Sequence, residues 1–274
     1  SLHDALPILA YFRADAREIK RIPGASDERQ LATYPAWSPD GRWLYYCRAP
    51  MLWTDRETAP PKRYAEVRYD LLRIGYDLDA DAWSAPETML SAEATGQSIL
   101  LPRISPDGRF LLFCMCRYGC FPAFQPTSDL YLMDLSDRSY VRLPINSERS
   151  ESWHSWSSNS RWIAFSSKRD GGNFTRCYLS HLDSAGAAGK PFLVPQRDPE
   201  RYDSLLKTIS VPELLTGPVP VTRRSLANAA RSEPADIAVS PGAAPPTSSS
   251  DPYPRAGEGR GGDPVQRTKA SRKR

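Results

Sequence analysis

The sequence offers few side chains that could do chemistry, and three of them are cysteines in one short stretch. Cys114, Cys116 and Cys120 have a spacing that could belong to part of a metal site. Zinc sites normally draw paired ligands from two places, and no Cys-x-x-Cys pair exists in this chain. Because Cys114 follows an apolar strand pattern, we interpret it as a buried free thiol. A disulfide at Cys120 stays open as an alternative if the protein is exported.

Hydrolytic chemistry would require a nucleophile beside a histidine. The sequence has no Gly-x-Ser-x-Gly nucleophile elbow, and neither His154 nor His181 comes with a recognisable nucleophile motif. No glycine pattern of a phosphate-binding loop or a dinucleotide-binding fold occurs either. We therefore predict that this chain is not an enzyme and has no catalytic residue, cofactor or metal.

Composition and charge narrow the class of protein. Apolar residues make up 40% of the chain and charged residues 25%, as in ordinary globular domains. The longest apolar runs, such as Leu111–Met115, are far too short to span a bilayer. The net charge of +4 comes from the end, where ten Lys or Arg follow Thr222 against five Asp or Glu. A nearly neutral body argues against nucleic-acid binding, and we interpret the basic end (269–274) as a solvated tail.

An internal repeat carries most of the information about the fold. Residues 37–46, 104–113 and 156–165 align without gaps. Each segment has a short strand, a Ser-Pro-Asp-Gly type turn, an Arg and a run of aromatic and aliphatic residues. In the third copy Asn159-Ser160 replaces Asp-Gly, and we expect Asn159 to supply the left-handed residue of the turn.

Each copy continues with two more predicted strands. The third strands are expected at 69–74, 129–135 and 176–182, and the fourth strands at 87–90, 140–143 and 191–194. Four antiparallel strands per repeat are typical of a β-propeller blade, whereas a β-sandwich with similar turns is the alternative. Residues 10–12 and 18–22 are predicted to end a preceding blade. The predicted fold is therefore all-β, with about three blades and part of a fourth, a short helical C-terminal extension and a disordered tail.

The Ser-Pro-Asp-Gly-Arg turn with the downstream strand Asp129–Asp134 resembles the WD-like repeat of TolB-like six-bladed β-propellers. Within that family the chain is most similar to a bacterial exported group, on the stretches 64–67, 117–122, 153–162 and 190–199. The resemblance covers roughly residues 10–220. It implies a periplasmic or exported location and a further set of blades in the intact ring, which would be a monomer.

Changes in composition predict four regions. Residues 1–8 resemble a translated sequencing adapter, 9–195 form the propeller blades, 196–226 a short helical extension and 227–274 a disordered basic tail. Asp198 as cap and Pro199 in the first turn predict a helix over 198–207. A second helical turn is expected at 211–215.

Partner contacts are expected on loops and near the channel of the propeller. The long loop at 49–62 carries Met51 and Trp53, and loops on rigid scaffolds often bind partners, although Trp53 could pack onto its own blade. His154 lies on a predicted first strand close to the channel, where it could contact a ligand or serve as a hydrogen-bonded structural residue. Tyr118 and Phe121 complete the set of candidate contacts.

Together these features predict a non-catalytic protein-interaction scaffold of an exported TolB-like propeller protein. Its partner would be an unidentified protein or peptide, with no nucleic acid and no membrane span. The alternative is an accessory or gating domain of a larger hydrolase whose catalytic domain is absent from this sequence. A carbohydrate-binding or metal-binding propeller is a third interpretation.

Overall fold

A computed structural model describes residues 9–27, 29–52, 63–198 and 200–232, together with the backbone of 238–239. In this part of the chain sixteen strands form four sheets. The predicted adapter segment 1–8 lies outside the described residues, as does most of the predicted tail. No helix in the described part of the chain is both long and apolar enough to cross a membrane.

The N-terminal sheet consists of part of a blade, as predicted. Strands β1 (Ala10–Arg13) and β2 (Glu18–Arg21) form an antiparallel hairpin. Strand β16 (Ala238–Val239) pairs in parallel with β2.

The other three sheets are the blades that the repeat predicts. Blade A contains β3 (Gln30–Trp37), β4 (Trp43–Pro50), β5 (Asp70–Asp77), β6 (Ala82–Trp83) and β7 (Glu87–Leu90), and the short helix α1 (Ala92–Thr95) follows it. Blade B contains β8 (Ser98–Ile104), β9 (Phe110–Cys116), β10 (Asp129–Asp134) and β11 (Tyr140–Arg142). Blade C contains β12 (Glu151–Trp156), β13 (Trp162–Ser167), β14 (Arg176–His181) and β15 (Phe192–Leu193). The predicted third and fourth strands of the three repeats are all present, with bounds within about three residues of those observed.

The core lies between neighbouring blades. All seven residues of β9 are buried, because blade B has blade A on one face and blade C on the other. Phe113 packs in the cluster shared with blade A, and Cys114 in the cluster shared with blade C. A strand buried on both faces reads as a continuous apolar run, which explains why 110–116 shows no alternation.

The turn between the first and second strands is the same in all three blades. In blade A, Ser38 donates from Oγ to Asp40 Oδ1 at 2.5 Å, and the same carboxylate oxygen accepts from Arg42 N at 3.1 Å. In blade B, Ser105 and Asp107 repeat the contact at 2.6 Å. The recurring aspartates are therefore turn-forming residues, as their recurrence predicts.

In the third turn, the residue with a left-handed φ is not the one that the sequence predicts. Ser160 has a φ of 58°, in the place of Gly41 and Gly108, which have φ values of 70° and 74°. Asn159 instead takes the role of the aspartates, because its Oδ1 accepts from Ser157 Oγ at 2.6 Å. The expectation for Asn159 was wrong, since the side-chain acceptor precedes the left-handed position in every copy.

This geometry predicts the effect of adding a side chain at the left-handed position. Gly108→Ala meets no atom within 4 Å, so its cost is confined to the backbone and should be about 1–2 kcal/mol of unfolding free energy. Gly189 does not have a left-handed φ, and Gly189→Ala is the matched control, with no loss expected. Urea unfolding of both variants measures the difference; equal stabilities would contradict the argument.

The C-terminal extension differs from the predicted helices. Helix α2 (Arg201–Ser204) begins after Glu200, while Asp198 accepts from Glu200 N at 3.0 Å instead of capping the helix directly. Residues 211–215 are not helical, and Val211 has a φ of 56°. Helix α3 (Arg223–Ala229), capped by Thr222, crosses the predicted boundary at 226–227.

Arg176 holds this extension against blade C. Arg176 is buried, with only 6% of the residue exposed. Its guanidinium donates to the backbone oxygens of Tyr202 (3.0 Å), Leu205 (3.0 Å) and Lys207 (2.8 Å). Ile209 N also donates to Thr175 O at 2.9 Å. Buried charged donors need several acceptors, and here the extension supplies them.

Loss of this contact should release the extension. We expect Arg176→Met to accelerate tryptic cleavage after Lys207 by about tenfold or more, because charge-assisted hydrogen bonds to three carbonyls disappear. Arg161→Met, which removes an exposed guanidinium from a turn, is the control and should leave the rate unchanged. Mass spectrometry of the fragments over time checks the prediction; an unchanged rate in Arg176→Met means that other contacts hold the segment.

Candidate functional site

Three of the predicted contact residues, Met51, Tyr118 and Phe121, lie at the end of the blades opposite the Asp-Gly turns, where second strands connect to third strands. We call this end the loop face. It contains Met51, the 3-10 turn Tyr64–Glu66, the segment 117–128 and the connection 168–175. The blade strands that enter and leave these loops are buried and fix their positions.

Segment 117–125 is held firmly at the loop face. Gln125 Oε1 accepts from Tyr118 N at 3.3 Å, and Gln125 Nε2 donates to Tyr118 O at 2.5 Å. Tyr64 Oη accepts from Cys120 N at 2.9 Å. Gly119 has a φ of 66°, and a Cβ there would lie 2.4 Å from the Tyr64 ring. Only glycine therefore allows this close approach.

Two phenylalanines project from this rigid segment. Phe121 is 55% exposed and Phe124 is 76% exposed, while Pro122 between them is buried. The ring centroids of Phe121 and Phe124 are 6.4 Å apart, and Tyr64 lies 6.3 Å from Phe121 and 6.0 Å from Tyr118. These four rings, Tyr64, Tyr118, Phe121 and Phe124, form a continuous surface that we call the aromatic patch.

The structure brings together only some of the predicted contact residues. Tyr118 and Phe121 are joined through Tyr64, which the sequence analysis did not single out. Phe124, the most exposed ring of the patch, was also missed. The signal that could have found it is its position two residues after a proline, in an aromatic segment between two strands.

The insertion between β4 and β5 is described in part. Met51 is half-buried against the core, and its N–H donates to Arg29 O at 2.9 Å. Trp53 lies outside the described residues, so its contact role stays a prediction. Arg63 donates to Leu52 O at 3.2 Å, which brings the two ends of the insertion together beside the aromatic patch.

His154 is placed away from solvent. The residue is 3% exposed, and its Nε2 lies 3.1 Å from Leu112 O on the neighbouring blade. Nδ1 lies 3.7 Å from Cys114 Sγ. Burial lowers the pKa of His154 to about 4 and raises the pKa of the Cys114 thiol well above its usual value. Both groups are therefore neutral at pH 7, and the surroundings of His154 are those of a structural residue.

The other cysteines show no metal-binding arrangement. Cys47, Cys114, Cys116 and Cys177 are buried, Cys120 is half-buried, and all five are free thiols. No group of three His, Cys, Asp or Glu side chains in the described ranges is arranged to hold a metal ion. Cys120 has its Sγ 3.7 Å from Tyr64 Oη, so it belongs to the support of the aromatic patch.

Each blade also has a bulge that the sequence analysis missed. Tyr34, Leu101 and Trp153 have φ values of 54°, 57° and 39°, and each lies where the register of its first strand shifts. They occupy equivalent positions in the repeat. The rings of Tyr34 and Trp153 touch across the first strands, with centroids 6.0 Å apart. Prolines follow the bulge in the first two copies, and Pro in a strand was the available signal.

Comparisons with known proteins concern the fold. No family model and no curated protein matches the chain. An oligogalacturonate lyase in complex with manganese is 12% identical, with a TM-score of 0.46 over 70% of this chain and 49% of that chain. A prolyl endopeptidase is 17% identical, with a TM-score of 0.45 over 71% of this chain and 26% of that chain. The Dos1 propeller is 14% identical, with a TM-score of 0.41 over 69% of this chain and 43% of that chain.

The chain thus spans about half the length of the lyase chain and about a quarter of the endopeptidase chain. Its own four sheets, stacked as successive blades, make it part of a β-propeller. Propellers support many unrelated functions, so the function must be argued from the side chains of this chain.

The buried histidine predicts a pH dependence of stability. The pKa of His154 is about 4 in the folded protein, and an unfolded histidine titrates near 6.5. The stability that the neutral His154 contributes is therefore fully present above pH 6.5 and is lost as the pH falls towards 4. The free energy of unfolding should decrease by about 2–3 kcal/mol between pH 7 and pH 4.5. Denaturant unfolding at both pH values should show a smaller loss for His154→Gln than for the unchanged chain. The exposed His181, replaced by Gln, is the control, and an identical loss in all three proteins would contradict the assignment.

Proposed function

We propose that this propeller is a non-catalytic scaffold of an exported TolB-like protein and that it binds a protein or peptide partner at the loop face. The observation that carries the proposal is the exposure of Phe121 and Phe124 on a segment that cannot relax to bury them. Exposed aromatic side chains on rigid scaffolds are typical anchors of protein interfaces.

The rigidity of the patch favours binding over a purely structural role. Pro122 and Gln125 are buried and hold the 3-10 turn, and Ser150 Oγ donates to Ala123 O at 3.1 Å from blade C. Little conformational entropy would be lost when a partner covers the rings, and preorganised contacts of this kind favour affinity.

The buried chemistry of the chain supports a non-catalytic role. The pair of Cys114 and His154 is the one described contact between a nucleophilic side chain and a histidine, and both members are buried and neutral. A thiol with a raised pKa and a histidine with a lowered pKa oppose the ion-pair activation that cysteine hydrolases need. The exposed His181 packs beside Trp162, with ring centroids 5.0 Å apart.

The proposal also includes membership of the TolB-like family and an exported location. Their support is the Ser-Pro-Asp-Gly-Arg repeat and its shared turn geometry, which resemble the TolB-like pattern. The complete reading frame separates this proposal from an accessory domain of a hydrolase. An export signal with further blades supports the scaffold, whereas a fused hydrolase domain with its own nucleophile motif contradicts it.

A photo-crosslinking experiment tests the loop face directly. A photoreactive phenylalanine analogue at position 124 in cells of the source bacterium should give a discrete adduct, and the same analogue at position 192 should not. Phe192 is also exposed but lies on the outermost strand of blade C. With the partner identified, Phe124→Ser should weaken binding about 30-fold or more, because truncation of an aromatic anchor costs about 2 kcal/mol or more. Equal labelling at both positions, or unchanged affinity, would falsify the proposed site.

A further inference from the structure

We infer that the loop face recognises an acidic peptide segment that carries an apolar side chain, because three cations that have no ion-pair partner among the described residues flank the aromatic patch. The inference rests on the proposed function, since it names the partner chemistry of the same surface. The three cations are Arg117, Arg149 and Lys168.

Lys168 and Arg149 lie on the blade C side of the patch. Lys168 Nζ is 5.0 Å from the centroid of the Phe124 ring, and Lys168 N donates to Ser150 O at 3.1 Å. Ser150 in turn donates to Ala123 O at 3.1 Å, so the backbone of the neighbouring Arg149 lies close to the phenylalanine turn. Arg149 is exposed.

Arg117 lies on the blade B side of the patch. Its N–H donates to Thr127 Oγ1 at 3.3 Å, which fixes the start of the segment that carries Phe121 and Phe124. Its side chain is exposed and forms no ion pair with a described carboxylate. The two phenylalanines therefore have a positive residue at each end of their segment.

Most of the other charges at the loop face are already paired. Arg169 contacts the buried Glu151 at 3.1 Å, and Arg63 contacts Glu66 at 2.6 Å. Two acidic side chains here have no described ion pair: Glu148, next to Arg149, and Asp170, which accepts a hydrogen bond from the uncharged Tyr178 hydroxyl. Among the described residues around the patch, three cations and two carboxylates, those of Glu148 and Asp170, have no ion pair, so this surface has an excess of one positive charge although the body of the chain is nearly neutral.

The positive side chains around the aromatic patch favour a partner with acidic residues. Acidic side chains on either side of an apolar residue would meet the cations while the apolar residue contacts the two rings, and such complementarity determines which partners bind. An anionic membrane would meet the same charges, but two phenylalanines and three cations provide little apolar area for stable insertion. We therefore assign the surface to an acidic peptide.

Selection from a phage-displayed library of random 12-residue peptides on the immobilised chain tests the inference. Enriched peptides should contain several Asp or Glu residues around an aromatic or aliphatic residue. The triple variant Arg117→Glu, Arg149→Glu, Lys168→Glu should bind a synthetic enriched peptide about tenfold more weakly or worse, and 0.5 M salt should weaken binding to the unchanged chain. The variant Arg42→Glu, Arg161→Glu, Lys190→Glu has the same net charge, and its affinity should not change.

The outcomes separate this inference from the proposed function. Enriched peptides that need Phe121 and Phe124 but lack acidic residues would overturn the inference and leave the binding face intact. No enrichment above an empty support would count against both. Binding to vesicles containing phosphatidylglycerol, lost in the first triple variant, with no acidic peptide enriched, would assign the surface to a membrane and overturn the peptide partner.

Discussion

Burial of both faces of each second strand is the constraint on which the rest of the structure depends. Strand β9 has no exposed residue, and its side chains alternate between the cluster shared with blade A and the cluster shared with blade C. A four-stranded sheet alone cannot cover two apolar faces, so the blades must stack on one another. The stacking places the turns at one end of every blade and the longer connections at the other.

The loop face gains its rigidity from this stacking. Tyr64 belongs to blade A and bonds Cys120 of blade B, while Ser150 of blade C bonds Ala123. The segment that carries Phe121 and Phe124 is therefore fixed by its neighbours on both sides. Adjacent exposed aromatic rings on such a segment are the physical basis for the proposed binding role.

Two buried polar side chains, Glu151 and His154, have hydrogen-bond partners on neighbouring strands or blades, whereas the buried hydroxyls of Ser152 and Ser155 have none among the described residues. Glu151 is fully buried, yet it accepts from Ser147 and Ser167 at 2.7 Å and contacts Arg169 at 3.1 Å. Buried charges need such partners, and removal of one partner would leave an unpaired charge. His154 is also buried, and its Nε2 lies 3.1 Å from the Leu112 carbonyl oxygen of the neighbouring blade.

The sequence by itself determined the blades, because their strands and turns depend on local residue types. The Ser-Pro-Asp-Gly turn and the apolar runs predicted the four strands of each repeat but not β6, and they also placed Tyr118 and Phe121 on a connecting loop. The identity of the left-handed residue in the third turn, the bulge at Tyr34 and the path of residues 211–215 were decided by the tertiary structure. The tertiary structure also decided that His154 is buried and that Phe124 is exposed. Exposure depends on which side chains from distant parts of the chain cover a residue, and neither composition nor spacing records that information.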